Sequence, residues 1–266
     1  MSHVIIIGGG AAGMMAAIAA AGAGHKVCIY EKNEKLGKKI YITGKGRCNV
    51  TNACDTEELF RNVVHNAKFL YSSFYTFTNT DVMDLIEKHG CPLKTERGGR
   101  VFPVSDKSSD VIHVLTVALR ELGVEVELHE EVSGVLAEDG HVSGVRLKRG
   151  QKVVPADAVI VTTGGLSYPS TGSTGDGYRF ATELGHTITE LSPALVPFEA
   201  KEAVCKDLQG LSLRNISVQI RNGKKVLYEE FGEMLFTHFG VSGPVLLSAS
   251  SYVASTLKKG PLTLSI

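Results

Sequence analysis

Val4-Ile5-Ile6-Ile7-Gly8-Gly9-Gly10-Ala11-Ala12-Gly13 stands near the start of the chain and decides how the rest is read. Four consecutive β-branched residues make a short apolar strand that ends at Gly8. Ala11–Ala23 is rich in the strongest helix former, and Lys26–Tyr30 reads as a second short strand. Strand, glycine turn, helix and strand thus form a βαβ unit within the first 31 residues. The glycines at 8, 10 and 13 have the GxGxxG spacing. Gly8 permits the tight turn, Gly10 lets the backbone approach a pyrophosphate, and Gly13 lets the helix pack closely on the sheet. The helix mouth turns its free N–H groups toward phosphate. Glu31 closes the second strand 18 residues after Gly13, where a carboxylate can hold ribose hydroxyls. Together these features predict an α/β, Rossmann-like fold that binds an adenine dinucleotide.

Composition fits that reading. The 266 residues suffice for one large domain or a domain with an insert. Hydrophobic residues make up 43% and charged residues 21%, as in ordinary globular proteins. Lys plus Arg and Asp plus Glu are equal at 28 each, so no global positive field recruits nucleic acid. One local patch exists: residues 31–47 carry six basic side chains, Lys32, Lys35, Lys38, Lys39, Lys45 and Arg47. Because the patch follows the phosphate motif directly, a cofactor pyrophosphate is a suitable counter-charge for it. The five cysteines are odd in number and contain no CxxC, so neither a zinc ribbon nor a disulfide framework is indicated. Reduced thiols, no metal site and a cytoplasmic location are expected. No apolar run approaches the ~18 residues of a membrane span.

Further along, the pattern from Asp55 to His89 looks helical, and Asp110–Leu122 is an amphipathic helix stopped by Gly123. Val124, Val126 and Leu128 alternate with acidic residues. With Val132–Ala137 and Val142–Lys148 around an Asp139-Gly140 turn, they predict an antiparallel meander rather than a second parallel βαβ half. Val159–Val161 is a buried-looking strand running into Thr162-Thr163-Gly164-Gly165, and Tyr178–Leu184 a helix. Residues from about 190 onward read as a second, β-containing unit with a hairpin signal at Asn222-Gly223 and a helix start at Ser242-Gly243-Pro244. The expected division is therefore 1–190 and 191–266.

NAD and FAD share the opening fingerprint. A strand that follows a meander and ends in Thr163-Gly164-Gly165 resembles the glutathione-reductase-like flavoproteins, in which a Thr-Gly step passes close to the flavin nucleotide, and so favours FAD. A sharper resemblance lies in Gly44-Lys45-Gly46-Arg47-Cys48-Asn49-Val50-Thr51-Asn52, in Gly172-Ser173-Thr174-Gly175-Asp176-Gly177-Tyr178, and in Leu235-Phe236-Thr237-His238-Phe239-Gly240-Val241-Ser242-Gly243-Pro244. This set resembles the BaiN-like family of bacterial NAD(P)/FAD-dependent oxidoreductases, some of which are named aminoacetone oxidases. The resemblance implies an FAD-binding domain of the glutathione-reductase type interrupted by a β-rich insert domain, here incomplete. Relative to the family the chain is expected to be truncated inside the insert, and so to retain FAD more weakly than a full-length relative. Carried over by motif, Gly8, Gly10, Ala11, Ala12 and Gly13 would line the pyrophosphate. Glu31 would hold the ribose, Lys32 would lie beside the adenosine, and Lys39 would face phosphate. Arg47, Cys48 and Asn49 would lie near the flavin ring. Val132 would pair with adenine through its backbone, and Thr163, Gly164 and Gly165 would border the nucleotide.

The implied activity is FAD-dependent reduction of an activated double bond in a small molecule, with NADH or NADPH as transient donor, since no second GxGxxG is present. The Thr174–Gly177 loop also resembles fumarate-reductase-type flavoproteins, which act on such bonds. Two alternatives stand: flavin-dependent reduction of uridine in ribosomal RNA, and a non-catalytic flavin-binding protein. No catalytic residue is assigned. Cys48 is read as a small packed residue rather than half of a redox pair, because Cys54 lies six positions on without CxxC spacing. His238 is a candidate proton donor whose favoured role is structural, and Arg100 is a candidate for binding an anionic or carbonyl group of the substrate.

Overall fold

Strand β1 (His3–Ile7) is buried on both faces, as its unbroken β-branched run requires. Val4 and Ile6 face a core that includes Met14 and Ala17 of helix α1 (Ala11–Gly22). Ile5 and Ile7 face the opposite way, toward Val145, Leu147 and Phe180. The computed structural model describes residues 1–266, which divide into two compact units, Met1–Ile188 and Thr189–Ile266.

In the first unit β1 pairs in parallel with β2 (Lys26–Glu31), from His3 opposite Lys26 to Ile7 opposite Tyr30. The segment after β2 holds α2 (Lys38–Ile42), β3 (Thr51–Asn52), α3 (Thr56–Arg61), α4 (Tyr71–Thr76) and α5 (Asn79–Lys88). The stretch that looked continuously helical from 55 to 89 is therefore broken into short pieces. Strands β4 (Leu93–Thr95) and β5 (Arg100–Pro103) join β3 in a small antiparallel sheet. Helix α6 (Ser108–Glu121) then packs Val111, Val114, Leu115 and Leu119 into the same core as α1.

The next strand departs from the sequence reading. β6 (Glu125–Leu128) does not join a meander but pairs in parallel with β2, from Cys28 opposite Glu125 to Glu31 opposite Leu128. Its Val/Glu alternation reflects an edge strand covered on one face, and a period of two carries no information about the direction of the partner. The meander is confined to β7 (Val132–Glu138), β8 (His141–Leu147) and β9 (Val153–Pro155), which form their own antiparallel sheet. β10 (Ala158–Val161) returns to the main sheet beside β1, giving a parallel order β10-β1-β2-β6, and α7 (Asp176–Glu183) follows. The carboxyl ends of β10, β1 and β2 thus lie side by side at the place where parallel sheets bind ligands.

The second unit is a five-stranded antiparallel sheet in the order β11-β14-β13-β12-β15: β11 (Phe198–Glu199), β12 (Ser212–Asn222), β13 (Lys225–Thr237), β14 (Gly240–Ser242) and β15 (Thr263–Ser265). A short helix α8 (Val204–Asp207) precedes β12. The β12–β13 turn has Gly223 and Lys224 between the paired Asn222 and Lys225, one residue later than expected. Helix α9 (Pro244–Leu257) starts at the expected proline and buries Val245, Leu246, Ala249 and Val253 against Val218, Ile220, Met234 and Phe236.

Candidate functional site

A cavity of about 380 Å³ opens in the first unit at the carboxyl ends of β1, β2 and β10. Gly8, Gly10, Ala11 and Ala12 line its floor. Glu31, Lys32, Asn33, Lys38 and Lys39 line one wall; Thr162, Thr163, Gly164, Thr171, Gly172, Ser173 and Asp176 line another; Val132 and Phe180 also border it.

The floor is an uncapped helix end. Gly10 is the N-cap of α1, no side chain caps that end, and no acidic residue stands in its first turn. The first N–H groups of the helix therefore have no intrahelical partner and face open space. Nothing lies within 4 Å of where a Cβ of Gly10 would stand. Gly13 differs: its Cβ would run into the Gly8 carbonyl oxygen and come to 2.8 Å from Thr162 Oγ1. Gly13 serves helix–sheet packing and lies outside the cavity lining, whereas Gly10 keeps the floor clear.

Two further groups shape the glycine turn. The Thr162 hydroxyl lies 2.9 Å from both the Ile7 and Gly8 carbonyl oxygens, to which it donates, tying β10 to the end of β1. Sequence reasoning singled out its neighbour Thr163 and missed this one. Glu31 is 7% exposed. Its Oε2 accepts from Gly9 N–H at 2.7 Å, and its Oε1 accepts from Asn33 N–H at 2.8 Å and Asn33 Nδ2 at 2.6 Å. The carboxylate thus also fixes the glycine turn, while one acceptor site of Oε2 is left for a ribose hydroxyl.

Lys39 Nζ donates to Ser173 Oγ at 2.6 Å and Ser167 O at 2.8 Å, which holds its charge at the rim. Lys32 Nζ pairs with Asp176 Oδ2 at 2.8 Å and donates to Thr174 Oγ1 at 2.7 Å. Desolvation pushes the Asp176 carboxyl up, but the Lys32 and Thr174 hydrogen bonds and the Lys32 charge outweigh it and hold it below the ordinary aspartate value. Val132, Thr163 and Gly164 all reach the lining.

Arg47, Cys48, Asn49 and Gly165 are not brought into that lining. The Arg47 guanidinium pairs with Glu96 and with Asp106 (2.6 Å) and lies 4.2 Å from the Phe102 ring centroid. Lys94 joins the same network through Asp106 at 2.7 Å. Asn49, with its amide turned to satisfy both groups, donates to Thr51 O at 2.9 Å and Val101 O at 3.2 Å. Cys48 packs in the core with Ile40 and Cys91, and burial pushes its thiol up despite a hydrogen bond with Thr43. Gly165 sits beside the Tyr178 hydroxyl. The basic stretch is largely spoken for: Lys32, Lys38 and Arg47 each face an acid, and Lys35 lies over the Tyr41 ring.

An adenine dinucleotide suits this donor set. The clear floor at Gly10, free helix N–H groups, an adjacent ammonium at Lys39 and a buried carboxylate at Glu31 are the groups that pyrophosphate and ribose require. The profile described as the HI0933-like protein Rossmann domain matches residues 2–254. The chain belongs to this HI0933-like family. Among its relatives, the 3-dehydro-bile acid delta(4,6)-reductase of Clostridium scindens is 34% identical over 98% of this chain and 62% of its own length. The ribosomal RNA dihydrouridine synthase of Escherichia coli is 32% identical over 93% of this chain and 60% of its own length. The chain thus spans about three fifths of the curated relatives it matches. A solved flavocytochrome c3 fumarate reductase in its open conformation superposes with a TM-score of 0.59 at 20% identity, over 80% of this chain and 47% of that one. The fold of this HI0933-like chain is a Rossmann-type fold with additional β-sheets, shared with that flavoprotein. No helix is long and apolar enough to cross a membrane.

Proposed function

We propose that this chain binds FAD in the cavity at the mouth of α1 and belongs to a cytoplasmic oxidoreductase that uses NADH or NADPH to reduce an activated double bond in a small molecule. The uncapped helix end carries the proposal, with Gly10 open to the cavity between a buried carboxylate and a rim lysine. In this reading residues 1–190 form the FAD-binding domain and 191–266 an insert domain. The N–H groups at Gly10, Ala11 and Ala12 bind the pyrophosphate, with Lys39 as counter-charge. Glu31 orients the ribose, Lys32 borders the adenosine, the Val132 backbone meets adenine, and Thr163 and Gly164 border the nucleotide. Arg47, Cys48, Asn49 and Gly165 belong to the flavin end of the same proposal. When bound, FAD supplies the two-electron chemistry. The protein's part is to place it, and the apolar side of the cavity, with Ile7, Val132 and Phe180, excludes water from it.

A bile-acid reductase among the relatives favours a small-molecule substrate. A ribosomal RNA substrate is the second reading, favoured by a dihydrouridine synthase at nearly the same identity. The ion pairs of Lys32, Lys38 and Arg47 leave less free charge for phosphate than the basic stretch implied, which weighs against it. Absorption spectra of the FAD-loaded protein, taken before and after anaerobic NADH or NADPH, test the proposal. Bleaching of the flavin bands, restored by an α,β-unsaturated ketone, is the expected result. Flavin that neither nicotinamide reduces would point to a non-catalytic flavin protein. Restoration by a uridine-containing RNA, but by no small molecule, would favour the second reading.

A further inference from the structure

Between Leu166 and Thr174 the backbone makes no backbone–backbone hydrogen bond to the protein outside the segment. Its main-chain bonds are its own turns: Thr171 N–H to Tyr168 O, Gly172 N–H to Pro169 O and Thr174 N–H to Gly172 O. Leu166 and Tyr168 are exposed, and Tyr168 holds a left-handed φ of 53°. Yet Thr171, Gly172 and Ser173 form a wall of the nucleotide cavity. What keeps them there comes from one short stretch on the opposite wall. Lys32 Nζ donates to Thr174 Oγ1 at 2.7 Å, Asn33 Nδ2 to Thr171 O at 3.1 Å, and Lys39 Nζ to Ser173 Oγ at 2.6 Å and Ser167 O at 2.8 Å. A segment held only by side-chain ties opens at lower cost than one woven into a sheet.

Asn33 is the hub of these ties. The same Nδ2 donates to Glu31 Oε1 at 2.6 Å, and its Oδ1 accepts from Lys38 Nζ at 3.3 Å. One amide therefore links the ribose-facing carboxylate, the Thr171 carbonyl and a cavity lysine. The fit is close: a Cβ at Gly172 would stand 2.6 Å from Asn33 Nδ2, in a backbone with a φ of 97°.

We propose that residues 166–174 are a strap whose closure sets how long a dinucleotide stays in the cavity, and that Asn33 is the positioning residue that holds the strap shut. The retention part rests on the reading that the cavity takes FAD; the latch itself does not. Lys32 and Lys39 tie the two ends of the strap, and Asn33 ties its middle. Removing the Asn33 amide frees the Thr171 carbonyl and loosens Glu31 together with it. A nucleotide then leaves through a wall that opens more often, while its contacts with the helix mouth are unchanged.

Asn33→Ala and Asn33→Asp test this in the chain as it stands, with FAD dissociation followed by flavin fluorescence and amide exchange of 166–174 followed in the FAD-free protein. Asn33→Ala is expected to release FAD about tenfold faster, as losing one half-buried amide's bonds implies, with no dependence on pH beyond that of the parent. Asn33→Asp is expected to be faster still at neutral pH, where a second carboxylate faces Glu31, and to slow on acidification as the protonated acid regains a donor. A general loss of packing would not be rescued by acid. In both variants exchange at Thr171, Gly172 and Thr174 should speed up. Unchanged FAD release from Asn33→Ala overturns the proposal. If the parent takes up no FAD, the functional reading fails on its own, and exchange decides the latch: faster exchange sustains it and unchanged exchange overturns it.

Discussion

Alanine at Gly10 and alanine at Gly13 look alike in the motif and should behave in opposite ways. Gly10 has φ −78° and ψ −171°, which any residue adopts, and a Cβ there meets nothing within 4 Å. As an N-cap, glycine exceeds alanine by at most about 1 kcal/mol, so Gly10→Ala should fold. The added methyl would occupy the space where a phosphate reaches the helix mouth. Hydrogen bonds to a charged group are worth about 1.5–3 kcal/mol, so FAD should bind about 10- to 100-fold more weakly. At Gly13 the Cβ collides with a backbone carbonyl and with Thr162 Oγ1 at 2.8 Å, neither of them the end of a flexible chain. Overpacking of this kind costs about 1–3 kcal/mol or more, and it falls on stability. Urea unfolding followed by circular dichroism reads the second effect, and FAD titration followed by fluorescence quenching reads the first. Parental FAD affinity in Gly10→Ala, or parental stability in Gly13→Ala, would refute the reasoning.

Thr162→Val keeps the shape but removes the donor to the Ile7 and Gly8 carbonyls; it should cost about 1 kcal/mol in urea unfolding and also weaken FAD in titration. Asp176→Asn breaks the half-buried pair with Lys32 and should cost about 1–2 kcal/mol at neutral pH. Because Asp176 titrates below its ordinary value, the pair's contribution is complete above an unfolded-state titration near about pH 4 and is lost as pH falls through the lower folded-state one. Unfolding curves of parent and variant should therefore converge in acid. Burial pushes the Cys28 thiol up to about 11 and also raises those of Cys48 and Cys91, and Cys205 is buried as well, leaving the half-buried Cys54 as the accessible one. A disulfide reagent at neutral pH should find one fast thiol in the native protein and all five after denaturation.

The opening βαβ unit was legible because several constraints coincide between His3 and Gly22: a strand buried on both faces, a turn only glycine can make and a helix rich in alanine. Strand β6 was misassigned because alternation between valine and glutamate reports one-sided burial and not whether the neighbour runs parallel. The helical stretch from 55 to 89 broke up because Asn62, Asn66 and Thr78 cap and terminate short turns that the apolar pattern runs through. Within the candidate site, residues near the glycine motif were found from sequence, as were Val132 and Thr163 through the family resemblance. Asn33, Thr162, Ser173 and Asp176 were not assigned to it. Their partners lie more than 130 residues away along the chain, and no local spacing encodes such pairs.

The proposed function depends on the mouth of α1 gripping an adenine dinucleotide, and titration of the FAD-free protein with FAD tests this directly. One equivalent should bind saturably, with the flavin fluorescence quenched and the affinity about 10- to 100-fold lower in Gly10→Ala. Fluorescence that stays that of free FAD at every protein concentration would contradict the account.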